Sequence, residues 1–296
     1  KYAAAIRLFD SYISNEWRSG SIEVADAEYF SAVSSLNLFN ADAEYRMMTF
    51  IASHPESPRI NEARLALGDF FYQNKNYRKA ASYYESVNRQ HLSKDLLPEY
   101  FFRFGYSLYI KGDQSRALLM FSEIKDIDTE YTPPALYYFS QIAYEQKMYQ
   151  TAMDGFMKLK DDETFGAIVP FYIVQILYIR KDYDGFHAIA PELLKSAGWE
   201  RSIELYRFIG DAHYNKGNYN DALPYLEKYS EGARASERED KYQLGYCYYK
   251  TGEIDKAIRL FLEIGARNDL LSQNIWNLLG DCYLQKNDKT RARLAF

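Results

Sequence analysis

The sequence predicts an all-α fold, an α-solenoid of antiparallel helix pairs. Three observations lead there. One phrase recurs along the chain, as "GDFFYQNKNYRKAASYYESV" from Gly68, "GDAHYNKGNYNDALPYLEKY" from Gly210 and "GDCYLQKNDKTRARLAF" from Gly280. The small residue that opens the phrase returns with a period of about 35 residues. Within each half of a unit the apolar residues fall at i, i+3, i+4 and i+7, as in Tyr77, Ala80, Ala81 and Tyr84, which is the stripe of an amphipathic helix.

The elements follow in order from the anchors Ser31, Gly68, Gly105, Ser140, Val174, Gly210, Gly245 and Gly280. Each anchor lies in a first helix. A polar turn comes next ("QNKN", "IKGD", "EQKM", "NKGN", "KTGE", "QKND"), in which Gly or Asn supplies the backbone freedom that a helix end needs. These turns are expected near Asn76, Gly112, Lys147, Asp182, Gly217, Gly252 and Asn287. The second helix brings a small contact residue, usually alanine (Ala43, Ala80, Ala117, Ala152, Ala222, Ala257, Ala292), and then a large one (Tyr84, Phe121, Phe156, Leu226, Phe261, Phe296). Small residues let paired backbones approach; the large one fills the space between pairs. Val174 and Phe186 replace both small residues of one unit and are expected to spread its helices. Pro98, Pro133, Pro134 and Pro170 fall at or near expected helix starts, where proline is tolerated. Pro191 and Pro224 fall in second helices, where local irregularity is expected. The organisation expected is a second helix of a partial repeat plus linker over 1–23, seven helix pairs over 24–272 and a truncated final repeat over 273–296, in one continuous solenoid. Neither end has the polar face of a cap, so the pattern implies a segment of a longer array.

Composition narrows function. Net charge is −5 with 26% charged residues, and no basic run of the kind that tracks nucleic acid is present. The longest nearly apolar stretch, "IVPFYIVQILYI", is too short to span a bilayer. Cys247 and Cys282 occupy one slot in adjacent first helices, too far apart for a disulfide, and act as small hydrophobes. His54, His91, His187 and His213 sit in different slots without metal-ligand spacing. The acidic stretch "EGARASERED" alternates with arginine as a solvated connector does. No nucleophile elbow, phosphate loop or zinc helix is present. The chain is therefore expected to have no catalytic, metal or cofactor site. What stands out is 17% aromatic residues, with 29 Tyr.

The repeat resembles the tetratricopeptide repeat. The matching residues are Leu67, Gly68, Phe71, Tyr77, Ala80 and Tyr84 in one unit, and Leu244, Gly245, Tyr248, Ala257 and Phe261 in another, with Pro55 in the place of the proline that often closes a unit. The Tyr-rich, acidic, low-Cys style is similar to envelope-associated repeat proteins of Gram-negative bacteria. That style implies a periplasmic or outer-membrane-associated place rather than a cytoplasmic one. The family resemblance implies a right-handed superhelix whose first helices line a concave wall that receives a protein or peptide. Carried over by slot, the expected groove residues are Phe102, Tyr137, Phe171, Arg207 and Tyr242 three before the anchor. One after it stand Tyr106, Gln141, Gln175, Asp211 and Tyr246, and four after it Tyr109, Tyr144, Tyr178, Tyr214 and Tyr249. Tyr109, Tyr144 and Tyr178 are expected side by side with rings partly exposed. The Lys and Asn that clamp a terminal carboxylate in some members have no match here. The chain is thus expected to be a non-enzymatic scaffold for a protein or peptide, without nucleic acid as a partner. A glycan-binding surface, or an accessory repeat domain of a larger enzyme, is the alternative.

Overall fold

A computed structural model describes residues 1–15, 21–235, 237–265 and 267–296. Among them the only regular elements are helices, seventeen α-helices and one short 3₁₀ turn at Arg89–His91. The linker expected after the first helix falls largely on residues 16–20, outside the described residues. The chain divides into two compact units, residues 1–169 and 170–296.

The first unit opens with α1 (Tyr2–Asn15), which packs on α2 (Ile22–Asn37). Antiparallel pairs follow: α2 with α3 (Ala43–Ser53), α4 (Ile60–Gln73) with α5 (Tyr77–Glu85), α6 (Leu97–Lys111) with α7 (Gln114–Ser122), and α8 (Thr132–Glu145) with α9 (Tyr149–Lys158). α10 (Val169–Ile179) begins at the boundary and is followed by α11 (Tyr183–Ser196). The second unit continues with α12 (Trp199–Asn215) on α13 (Tyr219–Gly232), α14 (Arg238–Thr251) on α15 (Ile254–Ile264), and α16 (Leu270–Gln285) on α17 (Lys289–Ala295). Within each unit successive first helices touch, α2 to α4 to α6 to α8 and α12 to α14 to α16, whereas second helices stand farther from one another. Each unit therefore has one tighter face, made of first helices.

Close approach at the anchors explains the period. A Cβ on Gly68 would stand 2.6 Å from the Tyr84 ring, on Gly105 2.8 Å from Phe121, and on Gly245 2.7 Å from Phe261. Tyr84, Phe121 and Phe261 thus pack directly against the glycine of their own first helix. Ser140 reverses the arrangement: its partner helix supplies Gly155, where a Cβ would meet the Ser140 hydroxyl at 1.9 Å. Ala80, Ala117, Ala152, Ala222 and Ala257 are all fully buried. So are Val174 and Phe186, in one apolar cluster with Leu205 and Ile209.

The turns differ from expectation in one respect. After the first pair, where Phe39 eight after the anchor is left-handed, the left-handed turn residue sits at one slot, seven after the anchor: Gly112, Gly217 and Gly252, but also Lys75, Lys147, Lys181 and Asn287. Asn76 and Asp182 are not the left-handed residues. They cap the next helix, accepting from the backbone N–H of Lys79 and Gly185 at 3.3 and 3.0 Å, as Asp113 and Asp288 do for Arg116 and Arg291. The cap and the left-handed twist are separate jobs in adjacent residues, and lysine bears the twist where the cap and the packing of both helices enforce it. Pro98 and Pro133 fall in first turns. Neither Pro191 nor Pro224 interrupts its helix; α11 and α13 run through them.

Candidate functional site

The expected groove residues lie on the first helices. Phe102, Tyr106 and Tyr109 are on α6, Tyr137, Gln141 and Tyr144 on α8, Phe171, Gln175 and Tyr178 on α10. Arg207, Asp211 and Tyr214 are on α12, and Tyr242, Tyr246 and Tyr249 on α14. All are half-buried except Arg207, which is exposed, and Asp211, which is buried.

What they touch separates them into two kinds. Several are tied into the scaffold. Asp211 accepts hydrogen bonds from the Tyr178 hydroxyl, from Asn215 at 3.0 Å and from Gln243 at 2.7 Å. Burial, then this bond, pushes the Tyr178 phenol well above its usual range. Tyr137 stacks on Phe165 at 4.6 Å, Gln175 donates to Glu204 at 3.3 Å, and the Phe171 ring carries the Arg201 guanidinium at 4.4 Å. Gln141 donates to the Tyr109 hydroxyl at 3.1 Å, and Tyr144 meets Tyr149 edge-on. Arg207 extends over Phe208.

The remaining residues form two aromatic constellations of the same design. In the first unit Tyr72, Tyr77, Phe102, Tyr106 and Tyr109 converge. In the second, four repeats later, Tyr214, Tyr219, Tyr242, Tyr246 and Tyr249 do the same. Tyr72 meets Tyr77 at 5.6 Å and 74°, and Tyr214 meets Tyr219 at 5.7 Å and 72°. Tyr77 to Tyr106 is 5.3 Å, and Tyr219 to Tyr246 is 5.4 Å. Phe102 and Tyr106 stack at 6.2 Å, Tyr242 and Tyr246 at 6.1 Å. The copies differ at their edges. Tyr138 extends the first copy, 5.1 Å from Tyr106 and 5.3 Å from Tyr109. In the second, the Lys250 ammonium lies over Tyr246 and Tyr249, where the first copy has Ile110. Burial raises the phenol pKa of Tyr72 to about 12 and pushes that of Tyr214 up as well, so both hydroxyls stay protonated.

Tyr77, Tyr138 and Tyr219 were not among the expected groove residues. Tyr77 and Tyr219 share a slot with Tyr149 and Tyr183, nine after the anchor, at the start of the second helix. That second tyrosine column is visible in the sequence once the anchors are aligned.

The carboxylates beside the first constellation are satisfied internally. Asp69 accepts from Tyr84 at 2.7 Å and pairs with Arg103 at 2.8 Å, and Arg103 also holds Glu99. A separate cleft of about 290 Å³ in the first unit is lined by Glu28, Ser31, Asp42 and Arg46. Arg46 pairs there with Asp10 and Asp42, and Glu28 with His54. "EGARASERED" is more than a solvated connector: Asp240 accepts the Tyr229 hydroxyl at 3.0 Å and Arg238 pairs with Asp269 at 2.7 Å. No cluster of three potential metal ligands occurs among the described residues, and no described helix is long and apolar enough to cross a membrane. Cys247 and Cys282 are free and buried, and burial pushes their thiols to about 12 and about 11.

The structure does pair two histidines that spacing kept apart. His187 on α11 and His213 on α12 lie with ring centroids 4.0 Å apart, and His213 stacks on Tyr225. Both nitrogens of His187 and the Nδ1 of His213 are buried without hydrogen-bond partners. Burial holds both imidazoles below their ordinary pKa; the His213 ring and Lys216 push His187 further down while Asp184 and Asp221 pull it up, and at His213 Asp221 pulls up and Lys216 pushes down. A depressed folded-state pKa gives stability that is complete above about pH 6.5 and lost as pH falls through the folded-state value. The urea midpoint is thus expected to drop between pH 7.5 and pH 5, and to drop less in a His187→Gln, His213→Gln double variant. Equal acid sensitivity in the two proteins would show that the pair does not couple protonation to folding.

Comparison with known proteins agrees with the repeat. A tetratricopeptide repeat model matches residues 37–91, and the model for anaphase-promoting complex, cyclosome, subunit 3 matches residues 215–295. A response regulator aspartate phosphatase A from Bacillus subtilis is 29% identical over 211 residues, which are 61% of this chain. The chain spans 56% of that relative's length. A tetratricopeptide repeat protein from Parabacteroides merdae aligns over 87% of this chain and 98% of its own, at 16% identity and a TM-score of 0.46. The apo form of RapI aligns over 99% of this chain and 95% of its own, at 15% identity and a TM-score of 0.42. With its helix pairs, its anchor glycines and the match of a tetratricopeptide repeat model over residues 37–91, the chain carries repeats of the tetratricopeptide type.

Proposed function

We propose that the chain is a non-enzymatic scaffold that binds a protein or peptide on the Tyr-rich face of its first helices. The observation that carries this reading is the state of that face: rings half-exposed, and the nearby carboxylates Asp69 and Asp211 already committed to neighbouring side chains. Carboxylates so engaged hold the scaffold together and are poor candidates for acid–base work. Half-exposed tyrosine is a strong recognition residue, apolar on the ring and polar at the tip. The partial match to a response regulator aspartate phosphatase favours a protein-derived occupant over a glycan.

The test uses peptides selected from a random library on the wild-type chain. Tyr144→Ala is expected to weaken the selected peptides by about 2 kcal/mol or more, as truncating a central aromatic anchor does, while the protein remains folded at the assay temperature. Undiminished affinity together with a large fall in the melting temperature would assign Tyr144 to packing and move the binding surface elsewhere.

A further inference from the structure

We propose that a cleft in the first unit, between the α4–α5 turn and the end of α6, docks an acidic segment of the bound peptide, with a glutamate or aspartate carboxylate between Arg78 and Lys111. This rests on the peptide-binding reading above and names one anchor of the occupant.

The repeat itself supplies the argument. In the second unit a residue six after its anchor pairs with the residue ten after the previous anchor. Lys216 pairs in this way with Asp184 at 2.5 Å, and Lys286 pairs with Asp255. In the first unit the same two slots hold Lys111 and Arg78. No other pair of successive repeats puts a cation in both. Where the repeat elsewhere bridges its neighbours with a carboxylate, it here carries a second positive charge.

Arg78, Lys111 and Lys75 line one cleft of about 440 Å³, whose other walls are asparagine, tyrosine and isoleucine. None of the three cations forms an ion pair or a side-chain hydrogen bond among the described residues. The carboxylates of the adjoining repeats are engaged elsewhere. Glu44 pairs with Lys79 at 2.7 Å, Asp113 accepts from the Arg116 N–H at 3.3 Å, and Glu145 accepts from Gln114 and Gln141. In a chain of net charge −5, the cleft is thus a local surplus of three positive charges. Like charges held together repel. An acidic side chain relieves that repulsion and gains charge-assisted hydrogen bonds from the guanidinium and the ammonium. The position suits a peptide on the Tyr-rich face, because Tyr77 lines the cleft and also meets Tyr72 and Tyr106 of the first constellation.

Fluorescence anisotropy of a labelled hexaglutamate peptide is the test, with hexaglutamine carrying the same label as comparator. Salt of about 0.1 M confines charge effects to about 10 Å, so the local cations decide the outcome. Hexaglutamate is expected to bind, hexaglutamine not to bind, and the affinity to fall as salt rises to about 0.5 M. Arg78→Gln and Lys111→Gln are each expected to weaken binding about two- to fivefold, the worth of one exposed ion pair. Arg78→Asp supplies the slot with the carboxylate that Asp184 and Asp255 provide in their repeats. It is expected to weaken binding about tenfold or more, since an attraction becomes a repulsion. An acidic residue also suits the first turn of α5, so the melting temperature is not expected to fall. Lys286→Gln, which removes a cation already paired, is expected to leave the affinity unchanged. Equal affinity of the wild type and Arg78→Asp overturns the proposal. So does an equal loss in Lys286→Gln, which would mean that net charge alone governs binding. Full displacement by equimolar inorganic phosphate overturns the peptide assignment in favour of a free oxyanion. Failure of hexaglutamate, while library-selected peptides bind the wild type and Arg78→Asp alike, overturns the acidic anchor and leaves the peptide reading standing.

Discussion

Tyr84→Ala is expected to destabilise the first unit by about 3–5 kcal/mol, the range for removing a large buried ring. Tyr84 is fully buried, and its ring occupies the space that the missing Cβ of Gly68 leaves open. Its hydroxyl donates to Asp69, which also takes Arg103, so the ring joins the helix contact to the charges beside Tyr72. Burial, then the Asp69 charge, drives the phenol far above its normal range, so it keeps the proton it donates to Asp69 near neutral pH. Tyr84→Phe keeps the packing and loses that one bond to a charged acceptor, an expected cost of about 1.5–3 kcal/mol. Urea unfolding should therefore order the three proteins as wild type, Tyr84→Phe, Tyr84→Ala. A phenylalanine variant as stable as wild type would mean that Asp69 is satisfied by Arg103 alone. The same slot holds Phe121, Phe156, Leu226 and Phe261 in other repeats, which have no such hydroxyl to lose.

Asp211→Ala is expected to cost about 3 kcal/mol or more. The carboxylate is buried and takes donors from three successive first helices: Tyr178 on α10, Asn215 on its own helix α12 and Gln243 on α14. Its removal takes the acceptor from Tyr178 and Gln243, whereas Asn215 is exposed and still donates to the Asp211 backbone carbonyl at 2.9 Å; a buried group left unpaired costs about 1–3 kcal/mol. Asp211→Asn retains the shape and part of the bonding, and its urea midpoint should fall between the two. Amide exchange should also quicken in α10, where Tyr178 would lose its hold. Unaltered stability of Asp211→Ala would show that water replaces the carboxylate at no cost.

The fold was legible because its cause is local and repeated. Only glycine or a comparably small residue fits under the ring of Tyr84, Phe121 or Phe261, so the anchors had to recur with the helices. Amphipathic spacing then set the pairs, and the polar turns set their hand-over. The turns near Asn76 and Asp182 fall where expected, but composition shows only that a break is needed, not which neighbour twists and which caps. Pro191 and Pro224 were expected to disturb their helices; tertiary packing carries α11 and α13 through them.

The candidate site was legible only as slots. Alignment on the anchors places fifteen residues on the first helices, because helical geometry alone decides which positions share a face. It does not decide which of them are already spent. Asp211 and Tyr178 bond to each other, and Tyr72 and Tyr77 meet Tyr106, through contacts between helices of neighbouring repeats. His187 and His213 stack for the same reason, although no spacing rule connects them. The sequence by itself therefore determined the period, the helices and the face, which follow from forces acting within one repeat. Which tyrosines gather, which carboxylates are saturated and which histidines are stripped of water were decided by tertiary structure, because those depend on how one repeat lies against the next.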